Sequence, residues 1–205
     1  MHRHRPAVLT ATSRLMKPAA AAFRHACLPA VAAAFVLHAT NAVAQSAFTV
    51  TSDSFRAGGN VDNAQVFNRD DCTGGNRSPQ LSWHNPPAGT RSFAITVFDP
   101  DAPGRGWWHW AVAGIPVGTG SIAENASGSG ALKKLGAVEA RNDFDVDGYG
   151  GPCPPPGKPH RYVVTIYALD TADLHLAQGW PAEMFDHEIN TAALGFARMV
   201  VKYGR

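Results

Sequence analysis

The sequence is sparing with charge: 17% of its 205 residues are Asp, Glu, Lys or Arg, and the formal net charge is +2. The apolar fraction of 45% is ordinary for a folded chain, so the low charge does not signal disorder. Acids are absent from residues 1–44, which hold Arg3, Arg5, Arg14, Lys17 and Arg24. Removing these five cations leaves thirteen Lys and Arg against sixteen Asp and Glu, a net of −3 for residues 45–205. The body of the chain therefore offers no basic face for nucleic acid. Long hydrophobic runs are missing too. The one candidate, residues 28–37, is about half the roughly 20 apolar residues that a spanning helix needs, so stable membrane insertion is not expected. No HExxH or GxSxG pattern marks a catalytic centre.

What stands at the N-terminus is a basic stretch, the apolar run and then Ala42-Val43-Ala44 before Gln45, the order of a secretory signal. Residues 1–44 are read as a signal peptide cleaved after Ala44, and initiation at Met16 would give a leader of conventional length. The mature segment, 45–205, is then exported to a periplasmic or secreted location. Cys27 precedes the apolar run and is lost with it, leaving two cysteines of three. In an oxidising compartment Cys72 and Cys153 are expected to bridge; a nucleophilic thiol beside a His is the alternative.

Short apolar runs separated by Pro/Gly turns cover 48–51, 81–83, 92–98 (SFAITVF), 107–115, 162–169 (YVVTIYAL) and 196–203. They predict an all-β-dominated single domain, a two-sheet antiparallel sandwich. One or two helical turns are expected over 171–178, and a C-terminal helix from Pro181 to near Leu194-Gly195, with Glu183, Asp186 and Glu188 early in it. Residues 117–160 show no period and read as a long functional loop, most flexible at 127–130. An exposed edge strand would allow a homodimer.

Two clusters carry chemistry. In DPDAPGRGWWHW (99–110), Asp99 falls at a strand end; Asp99 and Asp101 read either as an acid/base pair or as the anchor of an Asx-turn. Alternation along the next strand sets Trp107, His109 and Ala111 on one face and Trp108, Trp110 and Val112 on the other, the latter toward the core. In GYGGPCPPPGKPHRY (148–162), the prolines supply stiff apolar walls and carbonyl acceptors, while His160 and Tyr162 share a face that Arg161 does not.

DPDAP, WWHW and GPCPPPGKPHRY, flanked by SPQLSW, SFAITVF and ARNDF, resemble the two signature regions of the phosphatidylethanolamine-binding protein (PEBP) family, in its bacterial YbhB/YbcL-type (Raf kinase inhibitor-like) branch. The resemblance covers roughly 47–205. It implies a β-sandwich with a C-terminal helical element and a small pocket for phosphate-like anions or phospholipid head groups. Carried over by position, the pocket residues are Asp99, Ala102, Pro103, Trp107, His109, Pro154, Pro155, His160 and Tyr162. The second motif is one residue short between its prolines and His160, Gly114 stands where Asn is common, and Ala140 where Gly is preferred. No counterpart of the animal kinase-binding features is visible.

These residues suggest anion capture: His109 and His160 as converging N–H donors, the Tyr162 hydroxyl and a backbone N–H near Ala102 completing the ring, and Asp99 orienting one imidazole and favouring its protonated form. The expected ligand is a phosphate-like anion or a phosphoethanolamine-type head group, with no cofactor and no catalytic turnover. Two alternatives stand beside it. One is a protein-directed inhibitor of a protease or other partner, using residues 117–160. The other is a metal-assisted hydrolase with Asp99, His109 and His160 as ligands.

Overall fold

The structure, a computed structural model, describes residues 46–205. The expected leader lies outside the described residues. In chain order the elements are β1 (Thr49–Thr51), β2 (Leu81–His84), β3 (Ser92–Asp99), β4 (Trp107–Pro116), β5 (Ser121–Ile122), α1 (Ala131–Lys134), β6 (Val138–Glu139), β7 (His160–Leu169), α2 (Ala182–Ala192) and β8 (Ala193–Tyr203). They form a three-stranded sheet, β1-β2-β5, and a five-stranded sheet, β6-β4-β3-β7-β8, with every strand pairing antiparallel. The mostly-β, two-sheet architecture is the one the apolar runs predict.

Period-2 patterning explains the layers. In β3 the odd residues Phe93, Ile95 and Val97 enter the core shared with Leu81, Trp83 and Ile122 of the small sheet. The even residue Ala94 turns outward, and with Ala111 and Ala113 makes a shallow floor under Phe185 and Ile189 of α2. Three alanines there let the helix approach the sheet closely, and Phe185 fills the space, fully buried. Phe185→Ala is accordingly expected to cost about 3–5 kcal/mol, read as a lower urea midpoint at unchanged m; a loss below about 1 kcal/mol would contradict this packing.

Three expectations need correction. Residues 171–178 are not helical: the Thr171 Oγ1 and Asp173 Oδ1 oxygens accept the N–H groups of Asp173 and His175, and these local bonds replace the helical ladder. Residues 117–160 are not one loop, since they hold β5, α1 and β6. The 127–130 turn within them is tied down, with the Ser127 hydroxyl donating to Glu139 (2.6 Å) and accepting from the Tyr149 N–H (3.0 Å). The outer edge of β8 is also partly covered. Gly58 N–H donates to the Val200 carbonyl, and residues 59–61 exchange bonds with Lys202, which shortens the edge available to a second copy.

Candidate functional site

Antiparallel pairing brings the end of β3 and the starts of β4 and β7 to one end of the large sheet, with Asp99 opposite Trp107 and Phe98 opposite Val163. The turn joining β3 to β4 depends on Gly106, at φ 86°; a Cβ there would stand 2.3 Å from the Phe98 ring and 2.8 Å from the Asp99 carbonyl. A cavity of about 240 Å³ opens at this end. All nine residues named as a pocket line it: Asp99, Ala102, Pro103, Trp107, His109, Pro154, Pro155, His160 and Tyr162. Phe144 and Cys153 line it as well, and the sequence reading assigned neither to the pocket. Phe144 lies in the quoted ARNDF stretch, held by Asn142, whose side-chain oxygen accepts the Phe144 N–H (2.9 Å) and whose amide donates to the Gly148 carbonyl (2.9 Å).

His109 reaches the cavity through a break in strand alternation. Between the Val97–Trp110 and Phe98–Trp108 pairs, β4 contributes one residue more than β3, and that extra residue is His109. The bulge places His109 and Trp110 on the inner face together. His109 lies edge-on to Tyr162 (5.1 Å) and Phe144 (5.4 Å), while Trp110 joins the inter-sheet core. Trp108, expected inside beside Trp110, instead packs on the α2 side against Phe98. A strict period of two cannot anticipate this reversal.

The two histidines have different settings. His160 Nδ1 stands 2.7 Å from Asp99 Oδ2, and Asp99 Oδ1 accepts the N–H groups of Asp101 (2.8 Å) and Ala102 (3.1 Å). The Asx-turn reading of Asp99 is therefore the observed one, and of the backbone N–H groups near Ala102, where one was expected to face an anion, those of Asp101 and Ala102 are spent on Asp99. Asp101 is no partner in acid/base chemistry either. It takes a bidentate grip from the Arg161 guanidinium and the Arg161 N–H, which hold its carboxyl well below the usual range. Asp99 orients His160 so that Nδ1 faces the carboxylate and Nε2 points away from it.

His109 is buried, and its Nδ1 lies 2.7 Å from the Gly150 carbonyl. A carbonyl only accepts, so Nδ1 carries the proton and Nε2 is the acceptor in the neutral ring. Burial pushes this imidazole below its ordinary range, opposed in part by the Gly150 carbonyl, the charge of Asp99, the Gly151 carbonyl and the charge of Asp143. The expectation of two N–H donors is thus corrected: neutral His109 presents a lone pair. In the unfolded chain the same ring takes a proton below about pH 6.5. Its contribution to stability is therefore complete above that pH and is lost as pH falls toward the lower folded value. Wild type is expected to lose more urea stability than His109→Phe between about pH 6.5 and 4; equal slopes would contradict a buried neutral ring.

Two polar atoms of residues that line the cavity, Trp107 Nε1 and the Tyr162 hydroxyl, are buried without a partner. Burial holds Tyr162 far above the usual phenol range, so it remains a hydroxyl. Among the described residues no Lys or Arg lines the cavity. Among the described residues no three His, Cys, Asp or Glu side chains are placed to hold a metal ion, and Asp99, His109 and His160 do not form such a set.

The proline wall is anchored from two sides. Cys153 is disulfide-bonded to Cys72, the pairing expected from the sequence. Arg205 donates from Nε to the Pro154 carbonyl (2.6 Å) and also bonds the Asp71 carbonyl, a role no local pattern signals. Gly151 lets the loop lie against residues 65–67, where a Cβ would come within 2.1 Å of the Gln65 carbonyl.

Residues 51–204 match the family described as phosphatidylethanolamine-binding protein. The chain belongs to this family. It is 40% identical over 161 residues to YbcL of Escherichia coli K12, covering 77% of this chain and 88% of the relative. The crystal structure of E. coli YbcL superposes with a TM-score of 0.74 at 38% identity, over 77% of this chain and 98% of that one. YbhB of the same organism is 37% identical over 154 residues, 74% of this chain and 97% of YbhB. A Mycobacterium tuberculosis relative named as a lipoprotein, LppC, is 36% identical over 162 residues, 78% of this chain and 74% of the relative. The pocket lining is therefore a feature of a PEBP-family member, and the fold expected from the resemblance is the one observed.

Proposed function

We propose that this PEBP-family protein is an exported binding protein for small phosphate-like anions, phosphoethanolamine-type head groups included, without catalytic turnover. The observation that carries the reading is the pairing of His160 with the buried Asp99 carboxylate at the mouth of a small, largely apolar cavity that His109 also lines. Asp99 fixes the ring so that Nε2 addresses a guest, and its charge compensates the imidazolium when His160 is protonated. Trp107 Nε1 and the Tyr162 hydroxyl, otherwise unpartnered, supply two further donors for phosphoryl oxygens. Trp107, Phe144 and the prolines displace water, which strengthens each bond to the guest. A ligand of so few atoms is held with a Kd on the order of micromolar to millimolar.

Export is supported by the Cys72–Cys153 bridge, which persists in oxidising compartments, by the leader-like N-terminal sequence and by the lipoprotein name of LppC. The test is a titration of the folded protein with inorganic phosphate while the imidazole resonances are followed. Saturable shifts are expected for both His109 and His160. Shifts absent from both would overturn the reading.

A further inference from the structure

We infer that the cavity takes a phosphomonoester in its singly charged, protonated form, with His109 Nε2 accepting the hydrogen bond from the ligand's remaining P–OH. This rests on the anion-binding reading above and narrows it to one ligand class.

A buried guest must match the donors and acceptors that line its cavity. Gly150 fixes the His109 proton on Nδ1, and edge-on contacts with Phe144 and Tyr162 hold the ring from two sides. The nitrogen left over is a lone pair in a buried setting, and an oxyanion placed against it would set two lone pairs together. The groups around His109 do not convert it into a donor: the Gly150 and Gly151 carbonyls and the charges of Asp99 and Asp143 favour a proton on the ring, and burial outweighs them. Asp99 is engaged by His160 and two N–H groups, and Asp143 Oδ2 accepts the Trp108 N–H. Tyr162 is a hydroxyl, His160 is turned to Asp99, and burial opposes a charge on His109 itself. Trp107 Nε1, the Tyr162 hydroxyl and His160 Nε2 belong to other residues of the lining and are able to donate.

A fitting guest therefore carries several acceptor oxygens and one hydroxyl. With no Lys or Arg among the described residues of the lining to balance a dianion, a single negative charge is also the better match. A monoanionic phosphomonoester has this inventory. A phosphodiester, the form of an intact glycerophospholipid, lacks the hydroxyl, and so does a sulfate ester.

The experiment compares probes of equal charge by calorimetry on the folded, disulfide-bonded protein, near pH 5.5. Methyl phosphate is expected to bind at least roughly tenfold more tightly than methyl sulfate, because only methyl phosphate has a proton for Nε2. Phosphoethanolamine is expected to exceed glycerophosphoethanolamine by a similar factor, and its affinity relative to inorganic phosphate separates a head-group preference from capture of the free anion. On raising the pH, methylphosphonate, which holds its second proton more tightly, should be released at higher pH than methyl phosphate. An imidazole nitrogen spectrum should show His109 Nε2 unprotonated in the free protein, a readout that needs no variant. Equal binding of methyl phosphate and methyl sulfate would overturn this inference while leaving anion binding intact. Failure of all these probes to bind would overturn both.

Discussion

Asp99→Ala is expected to destabilise the fold by about 3 kcal/mol and to remove measurable phosphate binding. The carboxylate is buried and fully used: Oδ1 ends two N–H groups of the β3–β4 turn and Oδ2 holds His160. Truncation leaves two turn donors without their acceptor and frees the His160 ring to rotate, and losing one side of a buried charged hydrogen-bond set has a cost of that order. Asp99→Asn separates the two consequences. Its amide oxygen can still cap the turn, so stability should fall by only about 1 kcal/mol. The amide group facing His160 no longer compensates an imidazolium, so phosphate affinity should drop roughly tenfold to a hundredfold. Chemical denaturation and phosphate calorimetry on the two variants read these effects. Wild-type affinity in Asp99→Asn would mean that the dyad does not serve the ligand.

Loss of the disulfide should be the larger stability effect. Cys72 and Cys153 are 81 residues apart in sequence, and opening a loop of that size costs about 4.5 kcal/mol in the chain-entropy treatment, a large share of the roughly 5–15 kcal/mol that holds a typical domain together. The bridge also sets one wall of the cavity. It joins the irregular 52–80 connection, which bonds to the edge of β8 near residues 58–61, to the loop carrying Pro154 and Pro155. In a Cys72→Ser/Cys153→Ser double variant the urea midpoint should fall sharply, and phosphate affinity should weaken even where the fold persists. A loss under about 1 kcal/mol would indicate that the Gly151 packing and the Arg205 bonds to Pro154 and Asp71 already fix this loop.

Local pattern made the large sheet legible. SFAITVF and YVVTIYAL carry enough β-branched and aromatic residues to mark β3 and β7, and Pro181 with Glu183 marks the start of α2. The motif resemblance supplied residues from two distant stretches that the fold brings to one cavity. What stayed hidden depends on non-local pairing. The extra residue at His109 exists only relative to β3, so its effect on Trp108 and Trp110 leaves no trace in β4 alone. The proton position on His109 follows from Gly150, 41 residues away. Arg205 bonds a carbonyl 51 residues upstream, and no spacing announces such a contact. The 171–178 segment misled for a local reason, because Thr171 and Asp173 serve turns as well as they serve helix starts.

The most direct measurement is a crystal structure of the protein soaked in inorganic phosphate. A tetrahedral anion should occupy the cavity within hydrogen-bond reach of Nε2 of both His109 and His160, with Asp99 still bonded to His160 Nδ1. A cavity that stays free of phosphate at saturating concentration, or an anion seated away from both rings, would contradict the account.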